Sequence, residues 1–170
     1  MLSVGCLVSA FMIELNRRTV LAGGVSTVVG ALAGCLDRAT TADHLPMVSQ
    51  ATQYQGPQCA CCDVYATYLE EHLPVSLETR IEHDLTGLKR AQGIHRDIWS
   101  CHTTVLDGFI VEGHVPVAVI EQAIDDTPSI AGIALPGMPA GSPGMGGEKR
   151  DTWQFFSIHT DGSYAHHSER

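Results

Sequence analysis

Three cysteines packed into four residues, Cys59-Ala60-Cys61-Cys62, at the start of a helical run constrain this chain more than any other feature. Gly56 and Pro57 mark a turn just before them. Cys61, Val64, Tyr65, Tyr68 and Leu69 then recur at helical spacing, with Asp63, Thr67, Glu70 and Glu71 on the other side, and Pro74 closes the run. The cysteines therefore sit at a helix N-terminus, where the positive end of the macrodipole lowers thiol pKa and favours thiolates. A fourth cysteine, Cys101, stands in Trp99-Ser100-Cys101-His102-Thr103, just ahead of a strand-like stretch.

The elements around these cysteines follow from periodicity and turn chemistry. Residues 47–55 read as a weakly signalled strand. Val75, Leu77, Thr79 and Ile81 alternate with polar neighbours as in a half-buried strand. Asp84 can cap a short helix through Leu85, Leu88 and Ala91, with Gly93 at its end. Residues 103–106 and 109–112 flank Asp107-Gly108, a two-residue hairpin signal. A further helix starts near Pro116 and runs through Val119, Ile120, Ala123 and Ile124. Residues 132–147, rich in glycine, proline and methionine, read as a long ordered loop, and residues 153–158 and 164–166 bracket a last hairpin turn at 160–163. This order predicts an α/β, thioredoxin-like fold: a central mixed sheet flanked by helices, the cysteine motif capping the first helix, and an extra C-terminal hairpin.

The N-terminal region has a different character. Asn16-Arg17-Arg18-Thr19-Val20-Leu21 precedes a short, glycine-rich apolar run that ends in Leu32-Ala33-Gly34-Cys35. Paired arginines before such a run make a twin-arginine export signal, and the run is too short for a lasting membrane span. Residues 1–34 thus resemble a lipoprotein leader, with Met12 as an alternative start. The resemblance implies that Cys35 becomes the first mature residue and carries lipid, that residues 35–46 form a polar tether, and that residues 47–170 are one domain held at the outer face of the cell membrane. Cys6 departs with the leader. The formal charge of −9 makes nucleic acid a poor partner, and with Lys89 and Lys149 as its two lysines the chain fits a protein kept soluble at high salt.

Soft thiolates gathered at Cys59, Cys61 and Cys62 suit soft cations, and Cys101, which alone would read as a buried core thiol, can complete the sulfur set. Copper(I) accepts two- or three-fold sulfur coordination and bridging sulfur, which a tight triplet supplies more readily than a tetrahedral cage. Four thiolates also balance four monovalent coppers in charge. The rival is a C-x-x-C redox pair of Cys59 and Cys62, which leaves Cys61 without a role; structural disulfides and a zinc or iron–sulfur scaffold are further alternatives. Met138 and Met145 carry thioethers suited to copper(I) on a loop able to fold over the cluster, or they plug that loop hydrophobically. His102 and His114 can bind oxidised copper, tune the cluster through hydrogen bonds, or serve as satisfied structural imidazoles; His114, just before Val115-Pro116, fits the tuning role. His166-His167 reads as a solvated tail, and Glu70-Glu71 and Asp125-Asp126 as exposed helix positions.

Four segments together, Cys59-Ala60-Cys61-Cys62, Ser100-Cys101-His102-Thr103, Glu112-Gly113-His114-Val115-Pro116 and the run from Gly137 to Met145, resemble the CopG-like copper-resistance family of exported metal-binding proteins. Ala60 replaces the usual glycine. The resemblance implies a thioredoxin-like fold, copper handling outside the cytoplasm, and a multinuclear copper(I) cluster bridged by Cys59, Cys61, Cys62 and Cys101. Copper ions are the implied cargo, and other copper-export or copper-resistance proteins the implied partners.

Overall fold

Alternating apolar residues build the sheet on which the site rests. The computed structural model describes residue 45 and residues 47–170, so the leader, Cys6, Cys35 and most of the tether lie outside the described residues. The described residues belong to one unit that runs over 39–170. Among the described residues there are seven strands, β1 (Ala51–Gln55), β2 (Leu77–Ile81), β3 (His102–Leu106), β4 (Phe109–Glu112), β5 (Gly132–Ala134), β6 (Gln154–Ile158) and β7 (Tyr164–Glu169). The helices among them are α1 (Ala60–Glu70), α2 (Leu85–Ala91) and α3 (Val117–Asp125), with a 3-10 turn at Arg96–Ile98.

The strands lie in the order β2-β1-β3-β4-β5-β6-β7. β1 is parallel to β2 and antiparallel to β3, and β4 is parallel to β5. The remaining pairs are antiparallel, so the sheet is mixed, as expected, and the C-terminal hairpin extends it past β5. Successive residues of β4 and β5 serve opposite faces: Val111 and Ile133 join a core with Tyr65, Leu69, Val119 and Ile120, whereas Ile110 and Ala134 pack with Ile94, Ile98 and Ile158. Helices α1 and α3 therefore cover one face, and the segment after α2 covers the other.

Several elements stand where the sequence puts them. The Asp84 side chain accepts from the Gly87 amide at 2.9 Å and caps α2, while Asp107 and Gly108 take φ of 48° and 93° in the β3–β4 turn. Other expectations are corrected. The buried stripe of α1 is Cys62, Tyr65 and Leu69, and Val64 is 57% exposed, because the helix is rotated to aim Cys62 rather than Cys61 at the sheet. Strand β2 buries only Leu77; it is the sheet's edge, and Thr79 and Ile81 face solvent. The stretch 132–147 is not all loop, since its first three residues pair with β4 and β6. His166 and His167 lie in β7 rather than in a solvated tail, and His167 is partly buried near Asp126. Leu45, placed in the tether by sequence, is 3% exposed and packs in the core, its amide donating to the His72 carbonyl at 3.0 Å. Among the described residues no helix is long and apolar enough to cross a membrane.

Candidate metal centre

The register of β1 against β3 brings the cysteines together. Gln55, the last residue of β1, sits opposite His102, the first residue of β3. The chain leaving β1 needs only a short turn to reach Cys59 at the tip of α1, and the chain entering β3 has just passed Cys101. As a result the Sγ atoms of Cys59, Cys61, Cys62 and Cys101 all lie within 4.8 Å of one another. Cys59 is the N-cap of α1 and its carbonyl accepts from the Cys62 amide at 3.0 Å, so the motif forms the helix's first turn. Cys59 and Cys62 are joined in a disulfide, and Cys61 and Cys101 are free thiols. Cys61 Sγ is 3.6 Å from Cys59 Sγ. A full set of four thiolates therefore requires two-electron reduction of that bond, with the two sulfurs leaving as thiols or thiolates.

Two imidazoles meet the fourth sulfur. His114 Nδ1 is 2.7 Å from the Pro143 carbonyl, which can only accept, so Nδ1 carries the proton and Nε2 presents its lone pair. That nitrogen is 3.1 Å from Cys101 Sγ, and His102 Nδ1 is 3.3 Å from the same sulfur. His102 is fully buried, and its Nε2 has no hydrogen-bond partner among the described residues. Burial holds both imidazoles below their ordinary pKa, His102 well below, and so keeps them neutral. Cys101 lacks the thiolate character expected of the triplet: burial first and the neighbouring Cys61 second push its thiol up to about 12. Without metal this sulfur is a thiol that donates to His114. Cys101, His102 and His114 thus form a second convergent donor set that shares its sulfur with the first.

The loop 137–147 reaches the same place. Gly144 crosses the first turn of α1 so closely that a Cβ there would lie 2.8 Å from the Tyr65 amide nitrogen and 3.0 Å from the Cys61 carbonyl, with φ of 77°. Met138 on this loop is 41% exposed and Met145 is partly buried. Gly144→Ala is expected to lower stability by about 1–3 kcal/mol, from left-handed strain and lost approach of the loop. Equilibrium urea unfolding measures it, and an unchanged midpoint would mean that the loop does not need this contact.

Sequence reasoning passed over the polar side chains that hold the cysteines in place. Gln53 and Gln55 lie buried on the face of β1 that meets α1. Gln53 donates to the Cys62 carbonyl at 2.9 Å and to Gln55 at 2.7 Å, and Gln55 donates to Asp63 at 2.6 Å. Lys89, one of the chain's two lysines, is buried against Glu112. The available signals were glutamines at alternate positions of a strand and one carboxylate in the apolar run 109–112. Tyr65 donates to the Val115 carbonyl at 2.8 Å, and its ring centroid is 4.6 Å from that of His102.

The family described as "Protein of unknown function, DUF411" matches residues 98–145, which hold Cys101, His102, His114 and the glycine-rich loop but not the cysteine triplet. No curated protein matches the chain. A solved structure entitled "Copper resistance protein copG- Form 1" superposes with a TM-score of 0.65 at 32% identity, over 72% of this chain and 98% of that one. The chain belongs to the CopG family. A second CopG structure, "Form 2", gives a TM-score of 0.64 at 32% identity over 71% of this chain and 97% of that one. Nearly the whole length of both CopG chains is thus matched here.

Proposed function

We propose that this protein binds copper(I) through Cys59, Cys61, Cys62 and Cys101 and sequesters it outside the cytoplasm. The observation that carries the reading is the convergence of four Sγ atoms within 4.8 Å at the tip of α1. Its CopG relatives are named as copper resistance proteins. Thiolates in such a set bridge several soft monovalent ions, and a multinuclear copper(I) cluster fits the crowding of three sulfurs into one helical turn. The β1–α1–β2 unit with the antiparallel β3–β4 pair is read as a thioredoxin-like layout. Export by the twin-arginine leader and lipid on Cys35 would hold the domain at the outer face of the cell membrane, where other copper-resistance proteins are its natural partners.

The protein, reduced and titrated with copper(I) without oxygen, is expected to take up copper as all four thiols lose their reactivity to a thiol reagent. A reduced protein that leaves those thiols reactive refutes sequestration. For the anchor, Cys35→Ala is expected to release the protein from the membrane fraction of the producing cells; retention would exclude a lipid on that residue.

The Cys59–Cys62 disulfide favours a second reading, a thiol–disulfide oxidoreductase. In that role a substrate thiolate attacks one sulfur of the bond, a mixed disulfide forms, and the displaced cysteine leaves as a thiolate. Cys61→Ser separates the two. Disulfide exchange with a model dithiol should survive it, whereas the copper stoichiometry of a four-sulfur cluster should fall.

A further inference from the structure

Behind Cys101 lies a buried ion pair whose hydrogen bonds run to the chain on both sides of that cysteine. Lys89, on α2, and Glu112, at the end of β4, have side chains 3% and 0% exposed and are paired directly. Glu112 Oε1 accepts from the Ser100 amide as well as from Lys89, and Oε2 accepts from Thr103 Oγ1 at 2.6 Å. Lys89 also donates to Thr103 Oγ1 at 2.9 Å. The next residue, Gly113, donates its amide to the His102 carbonyl at 3.1 Å. Residues 100, 102 and 103 are therefore all fastened to the end of β4, and Cys101 is the residue between them. The approach is close enough that a Cβ on Gly113 would lie 2.5 Å from Ser100 Oγ.

We propose that Glu112, held by Lys89, is the positioning residue that sets Cys101 opposite the cysteine triplet before any metal arrives. A carboxylate is suited to this because its two oxygens accept from two separate chain segments and a lysine at once, whereas an amide offers a single accepting atom. Buried ion pairs rarely add stability over well-packed apolar residues, so stability alone gives little reason for one here. Geometry at the neighbouring sulfur gives a reason, since a support that fixes a ligand lowers the ordering cost of binding.

The proposal rests on the copper(I) reading, and its test is built to fail separately from it. In the full chain, Lys89→Met with Glu112→Met removes both charges at similar volume, while Lys89→Met with Glu112→Gln keeps one acceptor for Ser100. Two quantities are measured: copper(I) affinity by competition with a chromogenic chelator, and the alkylation rate at Cys101 in reduced, metal-free protein, read on its peptide by mass spectrometry. The Met/Met variant is expected to bind copper(I) about 10- to 100-fold more weakly, the usual cost of losing a ligand's support. Its Cys101 should alkylate several-fold faster, and the Met/Gln variant should recover most of both. A folded Met/Met variant with native affinity and native alkylation rate overturns the proposal. If Met/Met does not fold, Thr103→Val decides instead: it deletes one of the two fastenings made by the Glu112 side chain and leaves the ion pair, and native values for both readouts overturn the proposal. If the wild type takes up no copper(I), the function assigned above fails, and the alkylation rates still decide the positioning role.

Discussion

Glu112→Met alone is expected to destabilise the protein by about 3–5 kcal/mol, the cost of leaving one member of a buried ion pair without its partner. The loss follows from the surroundings of Lys89, which is 2% exposed and has Thr103 Oγ1 as its other acceptor. Burial already draws the Lys89 pKa down, and Glu112 is the chief group opposing that shift. Without the carboxylate that opposition is lost, so the folded pKa falls further below the unfolded one. The unfolded chain then holds a proton that the folded chain does not, and stability rises with pH until the unfolded lysine, near 10.4, has also deprotonated. Urea unfolding of the variant should therefore show a deficit that narrows as pH increases from 7 towards 10. A variant within about 1 kcal/mol of wild type at pH 7 would mean that the pair is solvated in solution.

Acid is expected to weaken the metal-free protein well before its carboxylates titrate. His102 and His114 are neutral in the folded state with depressed pKa values, and burial is the larger cause for each. For His102 the nearby His114 and the Lys89 ammonium push the same way. The unfolded imidazoles bind protons near pH 6.5, and the folded ones resist. Stability is thus fully present above that pH and is lost as pH falls towards the folded values. The slope approaches about 1.4 kcal/mol per pH unit for each imidazole that stays neutral, so His102 alone accounts for about 2 kcal/mol between pH 7 and pH 5. Urea midpoints at the two pH values measure the loss, and His102→Gln should flatten the profile. A wild-type profile flat over this range would show imidazoles that protonate without opening the fold.

The sequence made the elements around the cysteines legible because their signals are local. Asp84 and Gly93 bound α2, Asp107-Gly108 turns β3 into β4, and the helical spacing after Cys59 marks α1. Strand β5 escaped notice because three residues that begin on a glycine and end two short of a proline carry almost no periodic signal, and its pairing with β4 and β6 is wholly tertiary. The rotation of α1 was misjudged because Val64 and Cys61 are apolar enough to pass for core, whereas the polar Gln53 on the facing strand draws in Cys62. The site divided in the same way. Residue type pointed to the cysteines and histidines, but the supports that aim them, Gln53, Lys89 and Glu112, look like ordinary surface polars until the sheet brings them under the cysteine turn and the 100–103 segment. The protonated state of the Cys101 thiol was likewise hidden, because it depends on burial and on Cys61, forty residues away in sequence.

The donors around Cys101 come from well-separated stretches of chain, the tip of α1, the entry to β3 and the corner after β4, and a further loop orients His114 through the Pro143 carbonyl. No short peptide excised from the protein would contain them all. An ion seated there acts as a clasp across the sheet, and by mass action it protects the folded chain in proportion to how tightly it is held. Melting temperature measured against free metal concentration would then serve as a gauge of occupancy, with no chromophore on the ion itself.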